Sequence, residues 1–151
     1  MPGELSGTIL AAMAETTDTA GDPTSTVPAK LLRLYRGLTR PYDAVRVPRG
    51  RRSGTDFTDC PFTALRYAAS PKGVVLVLEV PLGLPRVSEE LWLVSDAKRF
   101  MVWGAFDDFI VAELPAKELR AHVRRKGVVA ESDAYKAAVL RRAIKERLSR
   151  S

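Results

Sequence analysis

The run Gly73-Val74-Val75-Leu76-Val77-Leu78-Glu79-Val80 constrains the fold more than any other stretch of this chain. Apolar and largely β-branched residues follow one another with only Glu79 interrupting, so an extended strand here is apolar on both faces. Such a strand needs cover on both sides and belongs in the middle of a sheet. Pro81, Gly83 and Pro85 end it. Leu31 to Tyr35 is apolar enough for a second core strand, with Arg36-Gly37 predicted to close it, and Phe109 to Leu114 reads as a third. Residues 40–54 contain Pro41, Pro48, Gly50 and Gly54 among arginines and read as a long loop. Glu89 to Val94 and Arg99 to Trp103 fit either a short helix or a strand.

Helices are predicted between and after these strands. Pro61 suits a first helical turn with Asp59 or Cys60 near the cap, and Phe62, Leu65 and Ala68-Ala69 recur at helical spacing until Pro71. Pro115 opens a helix from Ala116 to Arg125, closed by Gly127. Ser132 or Asp133 caps a last helix to about Leu148, with Tyr135, Val139, Ala143, Ile144 and Leu148 as its apolar stripe. Strands with few helices between them give an α+β fold and not a doubly wound sheet.

A length of 151 residues fits one folded domain. Residues 1–28, rich in Thr, Ala, Gly and Pro, read as a weakly ordered tail before a core at 29–127 and a basic C-terminal helix at 128–151. No apolar run is long enough to span a bilayer and no basic-then-apolar leader opens the chain, so a cytoplasmic location is expected, compatible with delivery as an effector. One cysteine, Cys60, excludes an internal disulfide and a cysteine-built metal site. The net charge of +6 is unevenly placed: residues 113–151 hold 11 Lys/Arg against 5 Asp/Glu, while residues 1–112 balance at 13 of each. A basic tail helix of this kind attracts nucleic acid or an acidic partner, or is simply a solvated face.

Three short segments carry the chemistry. Arg36 ends the first strand beside Gly37; its planar guanidinium suits a diphosphate, and the glycine leaves room for a ligand at the backbone. Its plain alternative is a surface ion pair. Phe57-Thr58 sets an aromatic beside a hydroxyl, able to hold a ring and anchor a ligand, or to be core and ordinary strand polarity. Asp107-Asp108 places carboxylates at a strand mouth, where one can stabilise an oxocarbenium-like transition state or merely shape a turn.

Their order and spacing resemble the ADP-ribosyltransferases of the arginine–serine–glutamate class. Tyr35-Arg36-Gly37-Leu38 is similar to the first motif of that family. Gly54-x-x-Phe57-Thr58 followed by Ala64-x-x-Tyr67-Ala68 is similar to the second, and Asp108-Phe109-Ile110-Val111 to the third. The resemblance spans about residues 32–120 and implies small split antiparallel sheets around an NAD-sized cleft, with peripheral helices. It implies an enzyme of toxin or phage-effector type that consumes NAD, as an ADP-ribosyltransferase or NAD glycohydrolase. Arg36 and Gly37 would then hold the phosphates, Phe57 and Tyr67 would pack the nicotinamide side, and Thr58 would support the nicotinamide ribose. Asp108 would be the catalytic acid, an aspartate where the family carries glutamate. The acceptor would be a protein, a nucleic acid or water. A non-catalytic basic α+β module that binds nucleic acid or protein is the competing reading.

The remaining residues add little. Arg46, Arg49, Arg51 and Arg52 form a candidate contact loop for an acidic partner or nucleic acid. His122, the only histidine, is expected on the exposed face of a basic helix and forms no metal site. Cys60 reads as a structural thiol, and Trp92 and Trp103 as core.

Overall fold

The run 74–81 does become an interior strand. The structure, a computed structural model, describes residues 30–48, 50, 52–90 and 98–150. The elements in order are β1 (Leu31–Leu38), α1 (Tyr42–Val45), β2 (Gly54–Thr58), α2 (Pro61–Tyr67), β3 (Val74–Pro81), β4 (Val87–Glu90) and β5 (Arg99–Trp103). A 3-10 turn (Asp107–Phe109), β6 (Ile110–Pro115), α3 (Ala116–Arg124) and α4 (Asp133–Ser149) complete them. The six strands form one antiparallel sheet in the order β4-β5-β2-β1-β3-β6. The fold is α+β.

The sheet is strongly joined on either side of one weak seam. β1 and β3 pair along their whole length, from Leu31 opposite Pro81 to Leu38 opposite Val74. β2 and β5 pair from Gly54 opposite Trp103 to Thr58 opposite Arg99. β1 and β2 meet at a single ladder position, Tyr35 opposite Thr58. The expected split is therefore a seam inside one sheet and not a gap between two.

Alternation sorts the side chains of β3 onto two cores. Val75 and Val77 join Tyr35 and Leu114 under the helices, against Ala64 and Leu65 of α2, Leu119 of α3, and Leu140 and Ile144 of α4. Leu76, Leu78 and Val80 face the other way, with Leu34, Phe57, Phe100, Val102 and Phe106. The C-terminal helix thus packs into the same core as the strands, and Leu31–Ser151 forms one compact unit. Among the described residues no helix is long and apolar enough to cross a membrane.

Several boundaries differ from expectation. β1 does not end at Arg36-Gly37 but runs on to Leu38, because β3 offers a ladder partner at each position. Residues 40–54 include the short helix α1. α2 stops at Tyr67 and not at Ser70. Val87–Glu90 and Arg99–Trp103 are both strands. Asp107 and Asp108 lie in a 3-10 turn one step removed from β6. Tyr135 and Trp103 are 47% and 39% exposed and belong to neither core. The tail expected over 1–28, Arg49, Arg51 and Trp92 lie outside the described residues.

Candidate functional site

Past Tyr35 and Thr58 the two strands part, and the space between them is a cavity of about 400 Å³. β1 lines it with Tyr35, Arg36, Gly37, Leu38 and Thr39, β2 with Asp56, Phe57 and Thr58, and α2 with Ala64 and Tyr67. Its volume falls within the range of small-molecule sites, about 300–1,000 Å³. Arg36, Gly37, Phe57, Thr58 and Tyr67, five of the six residues expected at a ligand site, therefore meet at one hollow.

Arg36 spans the seam. Its Nη1 donates to the Asp56 backbone carbonyl and to Asp56 Oδ1, both at 2.8 Å. Among the described residues no hydrogen bond engages its Nη2 or Nε, so one edge of the guanidinium fork stays open for an anion. Asp56 Oδ2 meets Arg99 Nη2 at 3.5 Å, so the carboxylate stands between two cations, one from each side of β2.

Thr58 is 4% exposed, and its Oγ1 accepts the backbone N–H of Cys60 at 3.1 Å. That bond steadies the entry to α2, whose cap residue Cys60 makes no side-chain capping bond itself. The hydroxyl proton is left to donate. Tyr67, at the last turn of α2, is 58% exposed and stands at the mouth. Burial pushes the Tyr35 phenol above its ordinary value of 10.0, against the pull of Arg33 and Arg141, so this wall is neutral at ordinary pH.

Two expected roles look different in the structure. Gly37 has a packing reason of its own beside the expected one. A Cβ at this position would lie 1.9 Å from the Ala64 carbonyl oxygen, so the glycine lets α2 rest directly on β1. Phe57 is 2% exposed and packs edge-on against Phe106, with ring centroids 5.1 Å apart at 81°. Alternation turns its ring to the opposite face from Asp56 and Thr58, so it is core with only an edge toward the cavity.

The third segment does not reach this cavity. Asp108 is exposed in the 3-10 turn before β6, a strand separated from β2 by both β1 and β3, and is not among the lining residues. Asp107 accepts from the Tyr42 hydroxyl at 2.6 Å and pairs with Arg46 Nη2 at 2.6 Å, which ties α1 down. Of the arginine loop, Arg46 is thereby engaged and Arg52 is exposed. On the side away from β1, the strand that borders Thr58 is β5, and the residue opposite there is Arg99.

Asp56 is the carboxylate that reading by motif passed over. A visible signal was present: Asp56 and Thr58 are two apart on a strand and must share a face. Arg99 had no comparable signal, since its position follows from which strand pairs with β2. His122 is half-buried on α3, Cys60 is a free thiol, and among the described residues no group of three or more His, Cys, Asp or Glu is placed to hold a metal. No protein-family model, curated protein or solved structure matches the chain.

Proposed function

We propose that the cleft between β1 and β2 binds NAD, and that the chain is an ADP-ribosyltransferase-like enzyme or NAD glycohydrolase. The observation that supports this reading is the meeting of Arg36, Asp56, Thr58 and Tyr67, drawn from three separate elements, around one hollow at a strand seam. A diphosphate takes the open Nη2–Nε edge of Arg36, which Asp56 orients from the other side without blocking. The exposed ring of Tyr67 covers one face of the nicotinamide or its ribose.

In this reading the acid is Asp56 and not Asp108. As the C1′–N bond breaks, nicotinamide leaves with the bonding pair and positive charge grows on the ribose. A carboxylate fixed between two guanidiniums opposes that charge without reorganising. Thr58 donates its free proton to a ribose oxygen or to the carboxylate. Water or an acceptor group then attacks C1′ and gives up its proton to solvent.

Nicotinamide release from NAD tests this. Asp56→Asn is expected to lower the rate by about a hundredfold to a thousandfold, the usual scale for removing one preorganised charge. Arg36→Met is expected to weaken NAD binding by about tenfold to a hundredfold, from its charged hydrogen bonds. Asp108→Asn is expected to leave both unchanged. A chain that neither binds NAD nor releases nicotinamide contradicts the proposal. Full activity in Asp56→Asn with loss in Asp108→Asn would return the acid to the third segment.

A second reading draws on α4. Arg141, Arg142 and Lys145 of that helix and Arg150 just past its end border a hollow in which Glu146 is the one carboxylate among the described lining residues, a cationic excess suited to a non-catalytic contact with an anionic polymer. Binding to single-stranded RNA that falls steeply with salt, together with no NAD turnover, favours it.

A further inference from the structure

Away from the cleft, α2, α3 and the start of α4 enclose a second groove of about 640 Å³. Its floor is aliphatic: Leu65 and Val123 are 4% and 6% exposed, while Val129 stands open at 53%. Its rim carries Arg66, Arg120, Arg124 and Lys136, and no carboxylate is among the lining residues described.

The four cations are held differently. Arg120 is fixed to the wall by hydrogen bonds to the Ala68 and Ser70 carbonyls, at 3.1 and 3.2 Å. Arg66 lies 4.7 Å over the Phe62 ring and meets the Asp133 carboxylate at 2.6 Å. Lys136 lies 5.6 Å from the same ring. Among the described residues neither Arg124 nor Lys136 has a carboxylate at ion-pair distance. An exposed valine over a buried aliphatic floor, beside Arg124 and Lys136 with no carboxylate at ion-pair distance among the described residues, is a surface that lacks its complement.

We propose that this groove docks an acidic peptide segment of a partner protein. An aliphatic side chain sits against Val129, with Leu65 and Val123 beneath, and flanking carboxylates meet Arg124 and Lys136. Charge selects an anion, and the floor selects the kind. A single strand of nucleic acid gains part of its affinity by stacking bases on open aromatic faces. The aromatic lining this groove is Phe62, whose ring already holds Arg66 and Lys136. Asp133 on Arg66 shows how a carboxylate sits at this rim. The inference does not depend on the NAD reading, since the groove and the cleft share no lining residue.

Fluorescence anisotropy with the full chain and a labelled peptide of sequence Gly-Glu-Glu-Leu-Glu-Glu-Gly tests it. The peptide is expected to bind, and its binding to fall as salt rises. Replacing its leucine by serine, or its glutamates by glutamine, should weaken binding by about tenfold or more. The Arg124→Glu, Lys136→Glu double variant should do the same while keeping the melting temperature. Val129→Ser is expected to weaken the leucine peptide and not the serine one, which a purely electrostatic contact would not do. Absence of binding, equal binding by the charge-reversed variant, or indifference to the loss of the glutamates overturns the proposal. Tighter binding of oligouridylate at the same residues does so as well.

Discussion

Asp56 and Thr58 show how much a strand's alternation says about individual residues. Both turn to the cavity while Phe57 between them turns to the core, which the pattern alone requires. Gly37 was legible only as a glycine closing a strand; its packing reason, the Ala64 carbonyl pressed against it, comes from a helix that begins 24 residues later. Gly37→Ala is expected to cost about 1–3 kcal/mol by overpacking, because the obstacle is backbone and cannot swing aside. Urea denaturation measures it, and Tyr67 should shift with α2. Tyr35 gives a prediction in pH. Its phenol is neutral in both folded and unfolded chains below 10.0, and above that the unfolded chain loses the proton first. Stability therefore falls as pH rises past 10.0, and Tyr35→Phe should flatten that decline in urea midpoints taken on either side.

Among the elements, α4 was the most legible. Ser132 or Asp133 reads as a cap from its place before the periodic run, and it is the Ser132 side chain that accepts the Tyr135 backbone N–H, at 3.2 Å. Ser132→Ala is expected to lower stability by about 1 kcal/mol, seen as a shift in denaturation midpoint. Of its expected apolar stripe, Ile144 is buried and Val139 and Leu148 pack partly buried against the same core, beside Ala137 and Leu140; Tyr135 stands outside it. The segment before β6 was misread for a physical reason. Phe106, 2% exposed, is drawn into the core between Phe57 and Tyr42. That anchor turns Asp107 and Asp108 into a 3-10 turn instead of a strand start. Local sequence shows an acidic pair before a β-run; it does not show that a buried ring immediately before the pair sets their direction.

For the whole molecule, the α+β class follows from strand and helix runs, but the order of strands does not. Which strand neighbours β2 depends on pairings between distant segments, so a cation at the position opposite Thr58 could not be foreseen. The seam has a consequence for dynamics. β1 and β3 are joined along their length and covered on both faces, whereas the β2-β5-β4 side is tied to them through one ladder position. Amide exchange should be slowest in β1 and β3 and faster in β2, β4 and β5, with the difference narrowing when a ligand fills the seam. Leu76→Ala, at the centre of β3 with no exposure, should cost about 2–5 kcal/mol and unfold both sides together.

A crystal structure with a non-cleavable carbocyclic analogue of NAD puts the site itself to the test. The diphosphate should lie against the Nη2 and Nε of Arg36, with the nicotinamide ribose beside Asp56 and Thr58 and the ring near Tyr67. An analogue bound with its ribose at Asp108, or bound elsewhere while the β1–β2 cavity stays empty, would contradict the assignment.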